Sequence, residues 1–463
     1  MEELLNIVSR INSGLSDYVL TILLVGTGIF FTIRTRFVQV RCFFEGWRNA
    51  FGKFTLHGRS SSLSPFQALS AAIAAQVGTG NIVGASGAII TGGPGAIFWM
   101  WLISFFGMAT IYAEAVLAQK TRIKDDDGTI HGGPVYYIKQ AFPGFFGTLL
   151  AGFFAVAIII SLGFMGCMVQ ANSIGETCSN AFGIPGWVIG VVIAIFSALV
   201  FFGGVSRLVS VTEKIVPFMA FIYLAGGVAI LIARIEYIPA TFAAIFKYAF
   251  YPEALIGGGF GYAIKTAISQ GVKRGLFSNE AGMGSTPHAH AIADVPNAHI
   301  QGTVAMIGVF IDTAIVLTMT ALIVISTIYV GDGPLANANG KTYAALLASN
   351  NLSQTSLVQY AISSVTTANV GNIFVAICLL FFAFSTILSW NYFGKINMSY
   401  LFGKKSLIIY TILAVLFIFL GTVMKSELVW SLQDMFNQLM VLPNVIALFA
   451  LAGLVANSAR KAN

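Results

Sequence analysis

The chain has 463 residues, of which 9 % are Asp, Glu, Lys or Arg and 57 % are hydrophobic, and its mean hydropathy is +0.83. That excludes an ordinary soluble protein, in which about a quarter of residues are charged. Eleven membrane helices of about 20 residues each would use about 220 residues, so the bilayer is the main solvent; the formal charge of +7 then asks which loops hold the basic residues, and does not indicate nucleic acid.

In chain order, the first span is expected at 15–33; no Lys/Arg-led secretory signal precedes it, and its length suits a retained helix. A basic loop, 34–65, leads to spans at 66–90 and 95–119, and the loop 120–145 to spans at 146–171, 186–204, 212–233, 255–280 and 301–328. After the long loop 329–370 come spans at 371–393, 406–423 and 429–456. Segment 255–280 is interrupted by Lys265, Lys273 and Arg274. With the amino terminus outside, cytoplasmic loops and span ends collect 19 basic residues, Lys273 and Arg274 among them, against five outside (Arg10, Arg234, Lys247, Lys341, Lys425). This positive-inside bias predicts a cytoplasmic carboxyl terminus and a multi-pass protein of the cell inner membrane or plasma membrane. Asp125-Asp126-Asp127-Gly128 reads as a solvated turn, and Asn351-Leu352-Ser353 is a formal glycosylation sequon on the external side. Cys42, Cys167, Cys178 and Cys378 have no metal-cluster or disulfide spacing.

Three spans carry polar irregularity. In Gln76-Val77-Gly78-Thr79-Gly80-Asn81-Ile82-Val83-Gly84, two glycines weaken the helix while Thr and Asn prefer caps, so a break is expected. Freed N–H groups could meet a carboxylate there and freed carbonyls a small cation; a packing face or a kink is the alternative. Gly78-x-Gly80 is no dinucleotide fingerprint, because no strand or spaced acid accompanies it. The second segment, 269–285, holds four glycines among polar groups and should be buried, line a cavity or emerge at the cytoplasmic face; Gly257-Gly258-Gly259 with Gly261 is a second possible break. The third is Phe382–Asn391, where Ser385 and Thr386 either reach a cation or bond back to their own helix, and Ser389 and Trp390 follow one turn later. Glu114 and Asp312 inside spans require a partner, neutralisation or a wet cavity. His57, His131, His288, His290 and His299 read as residues of loops and helix ends, without zinc-enzyme spacing. There is no Walker lysine loop or serine elbow, so ATP-driven transport is disfavoured and an enzyme is not indicated.

Thr27–Thr35, Val77–Ile82, Gly92–Trp101 and Arg274–Gly282 together resemble the alanine or glycine:cation symporter family, the sodium:alanine symporters, over nearly the whole chain. The resemblance implies an all-α polytopic protein of leucine-transporter-like fold: eleven transmembrane helices, ten of them forming two inverted five-helix repeats. The divisions are 1–65 (amino-terminal helix and loop), 66–235 and 236–463 (the two repeats). It further implies that Thr79 and Gly80 offer N–H groups to a substrate carboxylate, with Asn81 beside them at a position that elsewhere contacts a second sodium. Ala74, Val77 and Phe382 would offer carbonyls, and Ser385 and Thr386 hydroxyls, to one sodium.

The expected function is sodium-coupled symport of alanine and then glycine by alternating access, with sodium as coupling ion and no other cofactor. Its partners are the amino acid, sodium and lipid; no protein partner is inferred. Proton coupling and broader specificity, including serine or D-alanine, stand as alternatives, with a channel as a rival class. Trp390 is the expected wall against larger side chains, Gln270 and Gly271 the polar contacts from the opposing segment, and Phe164 and Met168 the apolar side, unless these pack only between helices.

Overall fold

The computed structural model describes residues 2–14, 19–52, 64–124 and 130–460. The expected helix start at 15–18, together with Lys53, His57, Arg59, the Asp125–Asp127 turn and Lys461, lies outside the described residues. Among the described residues, six helices are long and apolar enough to cross a membrane: Ala96–Thr121, Phe145–Phe182, Ser210–Ala233, Ala298–Tyr329, Ala368–Phe402 and Lys404–Val423. Two bent pairs bring the number to eight, Pro65–Gln76 with Gly80–Gly92 at 48° and Ser426–Ala450 with Ala452–Arg460 at 60°. Thr21–Arg34 and Gly186–Phe201 are shorter apolar helices. Phe260–Asn279 is helical despite its charges.

Helix starts are written locally. Ser64 accepts from the Gln67 N–H at 3.2 Å while the Gln67 amide oxygen accepts from the Ser64 N–H at 3.0 Å, a reciprocal cap ahead of Pro65. Asn297 accepts from the Ile300 N–H at 3.1 Å and Thr367 from the Val370 N–H at 3.4 Å, opening helices 298–310 and 368–402. Connections between spans are also structured: Phe43–Phe51 and Pro134–Ala141 are helical, and Ile123–Lys124 pairs antiparallel with Ile130–His131. The 329–370 loop contains helices Tyr343–Ser349 and Ser356–Val365.

Two layers result. The most apolar windows of helices 96–121 and 368–402 are each 67 % buried, while those of 210–233 and 404–423 are 28 % buried and turn exposed Phe, Ile and Leu outward, as lipid-facing helices must. Helix 96–121 packs on 298–310 and 260–279; helix 167–182 packs on 368–402 and 407–423. The two breaks described below lie between these groups.

Candidate functional site

The expected first break is present. Helix Pro65–Gln76 stops at Val77 (φ −83°, ψ 90°), and the chain becomes helical again at Gly80 through a π-helical turn, Gly80–Gly84. Residues 74–89 are all buried. The Gly78 N–H donates to the Asn81 side-chain oxygen at 3.0 Å, and the Thr79 N–H to Gln170 Oε1 at 3.1 Å. A Cβ on Gly78 would collide with Thr386 Oγ1, so helix 368–402 rests directly on the bare backbone of the break.

That approach assembles five oxygens. Thr386 Oγ1 lies 3.0 Å from the Ala74 carbonyl, 3.5 Å from that of Val77 and 3.1 Å from that of Phe382; Ser385 Oγ lies 2.9 Å from Phe382 O and 3.4 Å from Ala74 O. Each hydroxyl proton can satisfy one carbonyl at a time, so the acceptors outnumber the donors. Neutral carbonyl and hydroxyl oxygens without a carboxylate suit a monovalent hard cation, for which they can replace water. The donor set therefore fits sodium.

Beside it, Thr79 Oγ1 and Gln170 Nε2 are buried without a hydrogen-bond partner. Both belong to side chains at the Thr79 N–H, where an acceptor such as a carboxylate could take their protons. Gly80 faces the opposing helix so closely that a Cβ would meet Ser278 Cα at 2.8 Å. Asn81 turns away from this point: its Nδ2 donates to Asp312 Oδ1 at 2.6 Å, and the same carboxylate accepts from Ser278 Oγ at 2.9 Å and Thr313 Oγ1 at 2.8 Å.

The second break lies at 280–286, at the carboxyl end of the irregular segment. Helix Phe260–Asn279 runs without interruption until Glu280, which is left-handed (φ 60°), followed by Gly282 (φ 93°) and Gly284 (φ 77°); a short helix, Pro287–Ala291, follows. Gly257 and Gly258 form a turn ahead of the helix and do not break it. Glu114, fully buried, fills the cradle of freed donors: it accepts from the Gly282 N–H at 3.1 Å, the Gly284 N–H at 2.9 Å and Asn444 Nδ2 at 2.6 Å. Glu280 accepts from Trp390 Nε1 at 2.6 Å and from the Ser285 hydroxyl.

The remaining expected pocket residues lie as follows. Gln270 and Gly271 lie about ten residues, hence about 15 Å of helix, before the break; Gly271 packs against Ala96 and Trp99, and Gln270 stands beside Gly92. Phe164 stacks on Phe417 at 4.8 Å and Met168 packs on Gly421, so both face helix 407–423. The opposite face of helix Phe145–Phe182, carrying Gly166 against Trp390 and Gln170 against Thr79, looks into the site. Trp390 is next to the second break, edge-on to Phe277 at 5.6 Å. Lys273 and Arg274, counted with the cytoplasmic span ends, lie within helix Phe260–Asn279 and both meet Asp434, Arg274 through two bonds of 2.9 and 3.0 Å and Lys273 at 3.5 Å. Sequence reasoning missed Gln170, although a lone glutamine in an apolar span was a usable signal.

A cavity of about 720 Å³ lies elsewhere, lined by Phe201, Tyr392, Lys395 and Leu407. The breaks themselves are closed over by side chains.

The arrangement has relatives. The sodium/alanine symporter AgcS of Methanococcus maripaludis is 40 % identical, covering 100 % of this chain and 98 % of its own. The putative sodium/proton-dependent alanine carrier YrbD of Bacillus subtilis is 39 % identical (96 % and 90 % covered), and the probable sodium/glutamine symporter GlnT of the same organism 37 % (98 % and 90 %). Among solved structures, MhsT in complex with L-phenylalanine aligns with a TM-score of 0.62 at 13 % identity, over 87 % of this chain and 97 % of that one, which shows a common leucine-transporter-like fold. The model of the sodium:alanine symporter family matches residues 1–462, and with relatives that align from end to end this chain is a transporter, not an enzyme, and belongs to that family of amino-acid and sodium symporters.

Proposed function

We propose that the protein carries a small neutral amino acid, alanine before glycine, inward with sodium by alternating access. The observation that carries this reading is the five-oxygen cluster of Ala74, Val77, Phe382, Ser385 and Thr386 adjoining the orphaned polar atoms of Thr79 and Gln170. The ion bridges the broken helix and helix 368–402; the substrate carboxylate takes the Thr79 N–H, now held by Gln170, together with the Gln170 amide protons. Ser278, Thr313 and Asp312, beside the Asn81 amide that donates to Asp312, offer a second oxygen-rich point, so a second cation is the specific addition this geometry favours. The two shorter apolar helices and the interrupted 260–291 segment, added to the eight spans, make eleven, consistent with two five-helix repeats at 66–235 and 236–463 after an amino-terminal unit at 1–65. We keep the amino terminus external and the carboxyl terminus cytoplasmic; leaving Lys273 and Arg274 out of the count of cytoplasmic loops and span ends leaves the basic bias at 17 against five.

Purified protein in liposomes should accumulate labelled alanine under an inward sodium gradient, with glycine competing better than serine, D-alanine or glutamine. Accumulation that ignores sodium and follows a pH gradient would replace this reading with proton coupling; preferential glutamine competition would replace the substrate. A sodium dependence with a Hill coefficient near one would remove the second cation.

Ser385→Ala and Thr386→Ala each delete one ligand oxygen, and a hydrogen bond or ion contact of this kind is worth about 1.5–3 kcal/mol. The sodium concentration for half-maximal uptake should therefore rise about ten-fold or more, with Thr386→Ala the worse of the two because Thr386 reaches three carbonyls. Unaltered sodium dependence in both variants would return these hydroxyls to ordinary helix back-bonding.

A further inference from the structure

Cys42, Glu45 and His299 bring three kinds of metal-binding atom to one point outside the transport site, each ligand atom within 4.8 Å of the others. Cys42 and Glu45 are separated by two residues where helix Phe43–Phe51 begins, which puts them on one face. His299 comes from the first turn of helix 298–310. The two helices are already in close contact: a Cβ on Gly46 would meet the Thr303 carbonyl at 2.6 Å, and Asn49 Nδ2 reaches Thr303 Oγ1 at 3.2 Å. Cys42 is a free thiol, 4 % exposed, and His299 is 6 % exposed. The imidazole is oriented from behind: Nδ1 lies 2.7 Å from the buried Tyr112 hydroxyl, which leaves Nε2 facing Glu45 Oε2 at 3.4 Å. An imidazole tied through one nitrogen, with the other aimed at a thiol and a carboxylate, has the outer-shell support that metal-binding histidines use.

We propose that Cys42 Sγ, His299 Nε2 and a Glu45 carboxylate oxygen bind one thiophilic divalent cation of the zinc class, with water as fourth ligand. Sulfur and imidazole select this class over magnesium or calcium. On binding, the Cys42 thiol releases its proton to solvent; thiolate and carboxylate together then balance the two positive charges. Ligands about 2.0–2.3 Å from a tetrahedral zinc sit closer together than the present separations, and Glu45, whose side chain is 33 % exposed, is free enough to close the difference. The bound ion fastens the 43–51 helix to helices 96–121 and 298–310. It touches no transport-site residue, so its effect is on stability and not on substrate.

The test uses the full-length protein in detergent, stripped with chelator and titrated with cobalt(II). One cobalt per chain should bind with a thiolate-to-cobalt charge-transfer band that zinc abolishes, and zinc should raise the melting temperature. Cys42→Ser should remove the band, and His299→Gln and Glu45→Gln should each weaken cobalt binding about ten-fold or more, while sodium-driven uptake in Glu45→Gln stays near wild type. No charge-transfer band in the wild type, or a band that survives Cys42→Ser, overturns the site and leaves a thiol–carboxylate–imidazole contact without metal.

Discussion

Glu114→Ala is expected to reduce sodium-driven uptake at least about a hundred-fold and to lower the melting temperature more than any substitution in the ion cluster. Deleting the carboxylate leaves the Gly282 and Gly284 N–H groups and Asn444 Nδ2 without their acceptor inside protein. Each stranded buried donor costs about 1–3 kcal/mol, so three approach the whole stability of a typical fold, about 5–15 kcal/mol. The damage spreads because Asn444 also donates to the Gly282 carbonyl at 2.9 Å and accepts from the Tyr137 hydroxyl, tying helices 96–121 and 426–450 and the 134–141 segment to one irregular stretch. Glu114→Gln keeps one acceptor oxygen but turns an amide NH₂ towards donors, and should fall between alanine and wild type. Thermal unfolding followed by intrinsic fluorescence, with uptake in liposomes, orders the three proteins; an alanine variant that melts and transports like wild type would show that this cradle is not what shapes the second break.

Asp434→Asn should have the second largest effect, and a different one: substrate still binds, but turnover collapses. The carboxylate accepts both Arg274 bonds and also faces Lys273, with side chains 9 % (Arg274) and 5 % (Asp434) exposed. The Arg274 guanidinium lies 4.7 Å from the centre of the Trp430 ring, which itself packs on Phe277 at 4.9 Å. Together these groups cover the break on the side of Gly92 and Ala96, the external side in the proposed orientation. Removing one partner of a buried ion pair costs about 3–5 kcal/mol. If only the externally closed state buries this pair, the conformational equilibrium moves by about two to four decades towards open. A cysteine introduced as Ser278→Cys should then react with an external, impermeant maleimide at least about ten times faster in the Asp434→Asn background. Lost uptake with unchanged labelling would make the pair a fold contact rather than a closure.

What could be read in advance follows from where the information resides. The first break was legible because its cause is local: Gly78, Thr79, Gly80 and Asn81 resist helix by their own chemistry. The ion cluster required the family resemblance, since nothing near Ser385 announces the Ala74 carbonyl 311 residues away. The second break stayed open between two glycine-bearing stretches, 269–285 and 257–261, and what distinguishes 280–286 is a carboxylate 168 residues earlier in the chain. Lys273 and Arg274 read as the cytoplasmic end of a span because charge in an apolar segment usually marks its end; Asp434, which pairs with both, enters only in three dimensions. Phe164 and Met168 do share a face, as their spacing required, but two residues along a helix is about half a turn, and Gly166 with Gln170 hold the inner side.

The π-helical turns at Ile159–Gly166 and Ile311–Leu317 differ from the regular helix beside them in their response to a kind of change that substitution cannot imitate. In both, a side chain five residues on reaches back to the carbonyl that the wider turn leaves spare: Cys167 Sγ to Leu162 O at 3.4 Å, and Thr318 Oγ1 to Thr313 O at 2.8 Å. Deleting a single residue inside such a turn would close it to a regular α-helix with the downstream face nearly kept, whereas deleting one from the regular helix beside it would shorten the span by only about 1.5 Å and rotate everything downstream by about 100°. Hydrophobic length, and with it membrane insertion, would survive, while the faces presented to the two breaks would be exchanged for faces meant for lipid or neighbouring helices. In this fold, phase along the helix is inherited as strictly as residue identity.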